Sequence, residues 1–140
     1  MRVIFLDFDG IFHPAGGPSG AVLPFEWLPI LEQLLTPWPD VRLAVHSTWR
    51  YLYKPDELRE LLGSLGPRFI GAAPLGPRAE SILWFLQLNP VITNYLILDD
   101  APSEFPADFP GSLVICEPLL GISAPQIQAQ IEAWLAGGVS

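Results

Sequence analysis

Short apolar runs alternate along this chain with longer stretches whose leucines recur at helical spacing, and Pro- and Gly-rich joints separate the two kinds. Arg2 to Phe8, with Val3, Ile4 and Phe5, reads as a strand buried on both faces. A Gly/Pro-rich loop follows from His13 to Pro24. Phe25 to Leu35 carries Leu28, Leu31, Leu34 and Leu35 at helical spacing and stops at Thr36-Pro37, where proline cannot continue a helix. Val41 to His46 is the second strand. Pro55 to Leu65 places Leu58, Leu61, Leu62 and Leu65 on one helical face and ends at Gly66. A third helix is expected from near Pro77 through Ile82, Phe85 and Leu86 to Asn89-Pro90. Tyr95 to Leu98 and Leu113 to Cys116 read as further buried strands. Ser123-Ala-Pro-Gln126 opens a last helix with a capping-box pattern, before Ile127, Ile131, Trp134 and Leu135.

Strands that are apolar throughout and alternate with helices imply an α/β fold, a mainly parallel sheet covered on both faces. Ligands in that architecture bind beyond the carboxyl ends of the strands. Three segments should therefore share one crevice: Asp7 to Gly10, His46 to Arg50, and Asp99 to Glu104.

Composition narrows the chemistry. The 140 residues, half of them hydrophobic, suit one domain over residues 1–140 with one core. No apolar run approaches the roughly 18 residues needed to cross a bilayer. The first apolar stretch is cut by acid at Asp7, unlike the core of a signal peptide, so a cytoplasmic protein with no membrane partner is expected. A net charge of -8 argues against a broad basic face that would hold a nucleic-acid backbone. The single cysteine, Cys116, excludes an internal disulfide and reads as a buried core thiol. Trp84 and Trp134 lie on helical faces and are expected in the core.

Carboxylates converge from two strand ends: Asp7 and Asp9 from one, Asp100 with Asp99 beside it from another. Bringing them together without a cation is costly, and a hard divalent ion resolves the cost. Magnesium suits oxygen ligands better than zinc would, with no thiolate set and only His13 and His46 available. Both histidines are left outside the candidate set. Ser47 or Thr48 can donate a hydroxyl hydrogen bond to a phosphoryl oxygen, Ser47 being favoured. Arg78, opening the third helix, can add a guanidinium beside helix-terminal N–H groups, although pairing on the surface with Glu80 or another acid is its rival reading. In Trp49-Arg50-Tyr51-Leu52-Tyr53-Lys54, aromatics interleaved with cations could stack a nucleobase and grip a second phosphate. The favoured reading has Trp49 packed beneath the loop and Arg50 paired with a carboxylate.

Val-Ile-Phe-Leu-Asp7-Phe-Asp9-Gly10 resembles the first motif of the haloacid-dehalogenase-like (HAD-like) hydrolases. His46-Ser47-Thr48 resembles their second motif, and Leu-Ile-Leu-Asp99-Asp100 their acidic fourth. Ser-Thr-Trp-Arg, with an Arg opening the helix before motif four, is most similar to compact HAD domains of RNA-repair-type proteins. The resemblance implies a three-layer α/β/α Rossmann-like fold and a Mg²⁺-dependent phosphatase. Asp7 would be the nucleophile and a metal ligand, and Asp9 the general acid and then base, giving its backbone carbonyl to the metal. Ser47 would hold the phosphoryl oxygen, Arg78 would stand where the family commonly has Lys, and Asp100 would complete the metal site with Asp99 and Gly10 in support. The loops after motifs one and two are too short for a cap domain, so the site should be open to a large substrate or to a lid lent by a partner protein. The phosphorylated substrate is a small molecule or a nucleic-acid end. A catalytically weak module that binds a phosphorylated partner is the alternative.

Overall fold

In the computed structural model, which describes residues 1–15 and 24–137, five parallel strands form one sheet. In chain order the elements are β1 (Arg2–Leu6), α1 (Leu28–Leu35), β2 (Arg42–Val45), α2 (Pro55–Leu61), β3 (Phe69–Ala72), α3 (Arg78–Leu88), β4 (Asn94–Asp99), β5 (Ser112–Ile115) and α4 (Pro125–Leu135). The strands lie in the order β3-β2-β1-β4-β5. Side chains alternate across the sheet. Ile4, Leu6, Leu43, Val45, Leu96 and Leu98 face the layer of α1, α2 and α4, where Leu31, Leu58, Ile131 and Trp134 cover them. Val3, Phe5, Ala44 and Ile97 face α3 through Ala79, Ile82 and Phe85. The result is the three-layer Rossmann-like α/β/α arrangement, and among the described residues the connections after β1 and β2 hold no cap domain.

This topology fixes where a ligand belongs. From β1 the chain moves outward through β2 to β3, then crosses back to β4 on the other side of β1, so a topological switch lies between β1 and β4. Register sharpens the point: Leu6 pairs with Val45 on one side and with Leu98 on the other. The next residues, His46, Asp7 and Asp99, therefore stand abreast at the carboxyl edge. The ladder continues through them, with the Asp7 amide donating to Leu98 (3.1 Å) and the His46 amide to Leu6 (3.0 Å).

Several expectations are corrected. The strand β3 is additional; it is four residues long, lies at the sheet edge and is half-buried, so it lacks the apolar run of a central strand. The first strand ends at Leu6, and the first helix starts at Leu28 rather than Phe25. The second helix ends at Leu61 and continues as tighter 3₁₀ turns over Gly63–Arg68, a stretch that contains Pro67. No capping box opens the last helix; its N-cap is Ala124, while the Ser123 hydroxyl bonds back to Leu120. Trp134 is fully buried, but Trp84 is 55% exposed. It sits about 200° around the helix from Ile82, off the stripe that meets the sheet. In the loop from His13 to Pro24, residues 16–23 lie outside the described residues.

Candidate active site

Asp7, the first residue beyond β1, is 1% exposed. Its Oδ1 accepts from the Phe8 amide at 2.9 Å, and its Oδ2 lies 3.1 Å from Arg78 Nη1. Arg78 is the first residue of α3, as the helix punctuation requires, and Nη1 also donates to both oxygens of Asp99, at 2.8 and 3.0 Å. Arg78 thus reaches the acidic cluster rather than forming a surface pair with Glu80. Asp99 is saturated: its Oδ1 also takes the Ala101 amide (2.8 Å) and its Oδ2 the His46 Nε2 (2.7 Å). One carboxylate orients the guanidinium, and the guanidinium spans to the other.

Oxygens of Asp7, Asp99 and Asp100 lie within 4.8 Å of one another. Since Asp99 is spent on Arg78, His46 and Ala101, Asp7 and Asp100 have the capacity left for a cation. All donors are hard oxygens, which fits a divalent ion of the magnesium type. The electrostatics of the cluster follow from burial and like charge. Burial, and then the charge of Asp99, push the Asp7 carboxyl up to about 8 against the pull of Arg78. Burial likewise raises Asp100. Burial would raise Asp99 too, but the His46 hydrogen bond and Arg78 hold it below the usual carboxylate range.

Gly10 has φ +78, and a Cβ there would land on the Asp100 carboxylate. Gly10→Ala should therefore displace Asp100 and strain the backbone, lowering stability by roughly 1–3 kcal/mol. Any magnesium held by Asp100 should then be bound at least about tenfold more weakly, about 1.4 kcal/mol, a loss read by thermal melting and metal titration.

Ser47 is fully buried and caps the turn that follows β2 by accepting from the Trp49 amide at 3.2 Å. Its own O–H remains free to donate. Thr48 is exposed, so of the two hydroxyls Ser47 is the one built into the edge. Asp9 stands apart from the acidic cluster. Its side chain is 51% exposed, and its two oxygens accept from His13 Nε2 (2.7 Å) and Trp49 Nε1 (3.2 Å). Only its backbone, next to Gly10, is left for the metal role implied above.

The stretch from Trp49 to Lys54 divides. The Trp49 ring packs on Phe8 and Phe25 and stacks on Tyr53 at 5.6 Å. Arg50 is buried and donates to carbonyls rather than to a carboxylate: His46, Ser47 (2.9 Å), Pro74 (3.4 Å) and Gly76 (2.8 Å), with the Ser81 hydroxyl at 3.3 Å. It ties the loop after β2 to the loop that launches α3, holding Ser47 and Arg78 in one frame. Cys116 is buried, and burial pushes its thiol up to about 12.

Two groups in this geometry were passed over in the sequence. His46 is fully buried, its burial holds its pKa below the usual value, and it fixes Asp99 from behind. A histidine directly after a buried strand was the available signal. His13 had no signal, because its contact with Asp9 depends on how the loop folds back.

Residues 3–127 match the family model described as the HAD domain in Swiss Army Knife RNA repair proteins. The chain belongs to that family. Comparison with curated proteins and with solved structures gave no match. The HAD domain here carries its acids at the ends of β1 and β4 and its hydroxyl at the end of β2, with Arg78 reaching in from α3. This arrangement is of the hydrolase and phosphatase type. No helix among the described residues is long and apolar enough to cross a membrane.

Proposed function

We propose that this HAD domain is a magnesium-dependent phosphomonoester hydrolase working through an aspartyl-phosphate on Asp7, in the cytoplasm. The row at the carboxyl edge of the sheet carries the reading: a buried Asp7, with Asp99 and Asp100 beside it and Arg78 Nη1 3.1 Å from its Oδ2. A buried carboxylate next to like charges has its nucleophilic oxygen exposed to little water. In the first half-reaction an Asp7 oxygen bonds to phosphorus, the ester P–O bond breaks, and Asp9 gives its proton to the leaving oxygen. In the second, water attacks phosphorus and gives its proton to Asp9, and the bond from Asp7 to phosphorus breaks. The Ser47 O–H and the Arg78 guanidinium hold the non-bridging oxygens. Asp7 and Asp100 would hold magnesium, with the Asp9 carbonyl as the family resemblance implies. When bound, the ion supplies the positive charge that keeps Asp7 ionised and offsets the charge of the phosphoryl group.

The substrate is a phosphorylated small molecule or a nucleic-acid end, with a lid lent by a partner protein as an option of the open site. With Trp49 and Arg50 committed inside the fold, exposed Tyr51, Leu52 and Lys54 are left to meet a strand. One observation favours the second reading, a module that binds a phosphorylated partner without turnover. Arg78 engages Asp7 and Asp99 at once, and a guanidinium never gives up its charge.

Phosphate release decides between them. The substrates are an aryl phosphate, nucleotides, and 3′- or 5′-phosphorylated oligonucleotides, each with Mg²⁺ or chelator, for wild type and Asp7→Asn. Magnesium-dependent turnover that the variant loses by about 1,000-fold or more supports the phosphatase, and the panel ranks the substrates. Absence of turnover in wild type that still binds Mg²⁺ moves the reading to the binding module.

A further inference from the structure

The two hydrogen bonds on Asp9 come from different loops, and neither is explained by the acidic cluster. His13 Nε2 meets one carboxylate oxygen at 2.7 Å, and Trp49 Nε1 donates to the other at 3.2 Å. The His13 proton is assigned by its other nitrogen. Nδ1 lies 3.1 Å from the Phe25 amide, which can only donate, so Nδ1 is the acceptor and Nε2 carries the hydrogen. Phe25 holds φ +60, an uncommon conformation for a bulky residue, at the position that supplies this amide. His13 is 5% exposed and packs against Phe25 and Trp49. Both rings are thus fixed by the aromatic cluster, while the carboxylate they grip is half-exposed.

We propose that His13 and Trp49 are positioning residues for Asp9, fixing the plane and direction of its carboxyl for proton transfer to the leaving oxygen. The inference rests on the phosphatase reading for its kinetic consequence. Two donors from two loops leave the carboxyl no free rotation, whereas an ungripped aspartate at a loop exposure of this kind samples several rotamers. Each oxygen accepts about two hydrogen bonds, so one donor apiece leaves a lone pair on each for the transferred proton. General acid catalysis contributes about 10²–10⁴-fold only when the donor is in place, and it matters most when the leaving group is a poor one.

The test uses aryl phosphates whose leaving phenols run from strongly to weakly acidic, with wild type, Trp49→Phe, His13→Ala and His13→Gln. Trp49→Phe keeps the packed ring and removes one N–H; His13→Gln keeps a donor to Asp9. For Trp49→Phe and His13→Ala, kcat/KM, which reports the half-reaction in which the phenol leaves, should fall roughly 10- to 100-fold with the least acidic phenol. With the most acidic phenol kcat/KM should change little, while kcat there reports the second half-reaction, and His13→Gln should recover part of the loss. A loss equal across the series, or no loss, overturns the proposal.

A second readout needs no turnover. The chain has two histidines, so an ¹⁵N-histidine spectrum contains two imidazoles, and His13→Gln identifies which is which. The His13 signal should show the Nε2–H form with a protected proton, and Asp9→Ala should strip that protection. An unprotected or Nδ1–H imidazole in wild type defeats the clamp. Inactivity of wild type on every substrate, with the clamp seen in the spectrum, defeats the phosphatase reading alone.

Discussion

Asp7→Asn should make the metal-free protein more stable at pH 8, while removing the nucleophile of the proposed phosphatase. Asp7 is buried beside two other carboxylates, and its pKa is pushed up to about 8 by burial and by Asp99. The unfolded chain has an ordinary carboxyl near 3.8. Between those two values the folded state holds a proton that the unfolded state does not, so folding takes up a proton and stability falls as pH rises. The contribution is intact below about 3.8 and fully lost above about 8. The amide of Asn carries no charge to bury and still accepts from Phe8, so the variant escapes the loss. Relief of a buried, poorly compensated carboxylate is worth roughly 1–3 kcal/mol, or roughly 3–10 °C in melting temperature for a chain this size.

Melting curves with chelator at pH 5 and pH 8 check this. The gap between variant and wild type should be small at pH 5 and widest at pH 8. His46 acts in the opposite sense, since burial lowers its pKa and stability is lost as the unfolded histidine charges below 6.5. That slope persists in both proteins and cancels in the comparison. Added Mg²⁺ should then stabilise wild type according to its affinity and leave the variant nearly unmoved. Equal pH slopes in the two proteins would show that Asp7 is ionised without cost, and the proposal that Asp7 and Asp100 hold a divalent ion would lose its main electrostatic support.

What could be foreseen follows from how local each feature is. The acids were legible because a buried parallel strand is apolar along its middle, so the switch to Asp7 just past β1 and to Asp99 at the end of β4 marks a strand end without knowledge of the fold. Arg78 was legible because Pro77 punctuates the start of its helix. The edge strand at Phe69 was missed because an edge needs only half the burial, and Gly71 with its neighbours looks like loop. Trp84 was misplaced because α3 is apolar on both sides: Leu83, Trp84 and Leu88 are exposed while Ile82 and Phe85 are buried. A period of 3.6 cannot choose between two apolar stripes; the sheet does. The grip of His13 and Trp49 on Asp9 was out of reach, since it joins residues 4 and 40 positions from Asp9 through the folded path of two loops.

The placement of Asp9 has a bearing on the division of labour. Asp7 and Asp9 are two residues apart in sequence, yet one is sealed among carboxylates and the other is half-exposed between aromatic N–H donors. Two identical side chains thereby meet opposite surroundings, which is how a single motif can furnish both a nucleophile and a proton carrier.

Arg78→Ala should cost the metal-free protein roughly 3–5 kcal/mol, the loss expected when one partner of a buried ion pair is removed. The guanidinium is the cation within hydrogen-bonding distance of Asp7 and Asp99, and the same nitrogen lies 3.9 Å from Asp100. Its charge is held firmly, because the attraction of Asp7 and Asp99 outweighs the burial that works against it. Without it the cluster can escape repulsion only by taking up protons, so the cost should grow with pH and be least near pH 5. Mg²⁺ should return more stability to Arg78→Ala than to wild type, since the ion replaces the charge that was lost. Arg78→Lys should keep most of the stability, since the contacts to Asp7 and Asp99 all come from the one nitrogen Nη1 and an ammonium also places one nitrogen between two carboxylates. Chemical denaturation of the three proteins across pH, with and without Mg²⁺, separates these effects. If Arg78→Ala lost the same stability at every pH and in both metal states, Arg78 would be holding the fold by packing, and the charge account of the site would fail.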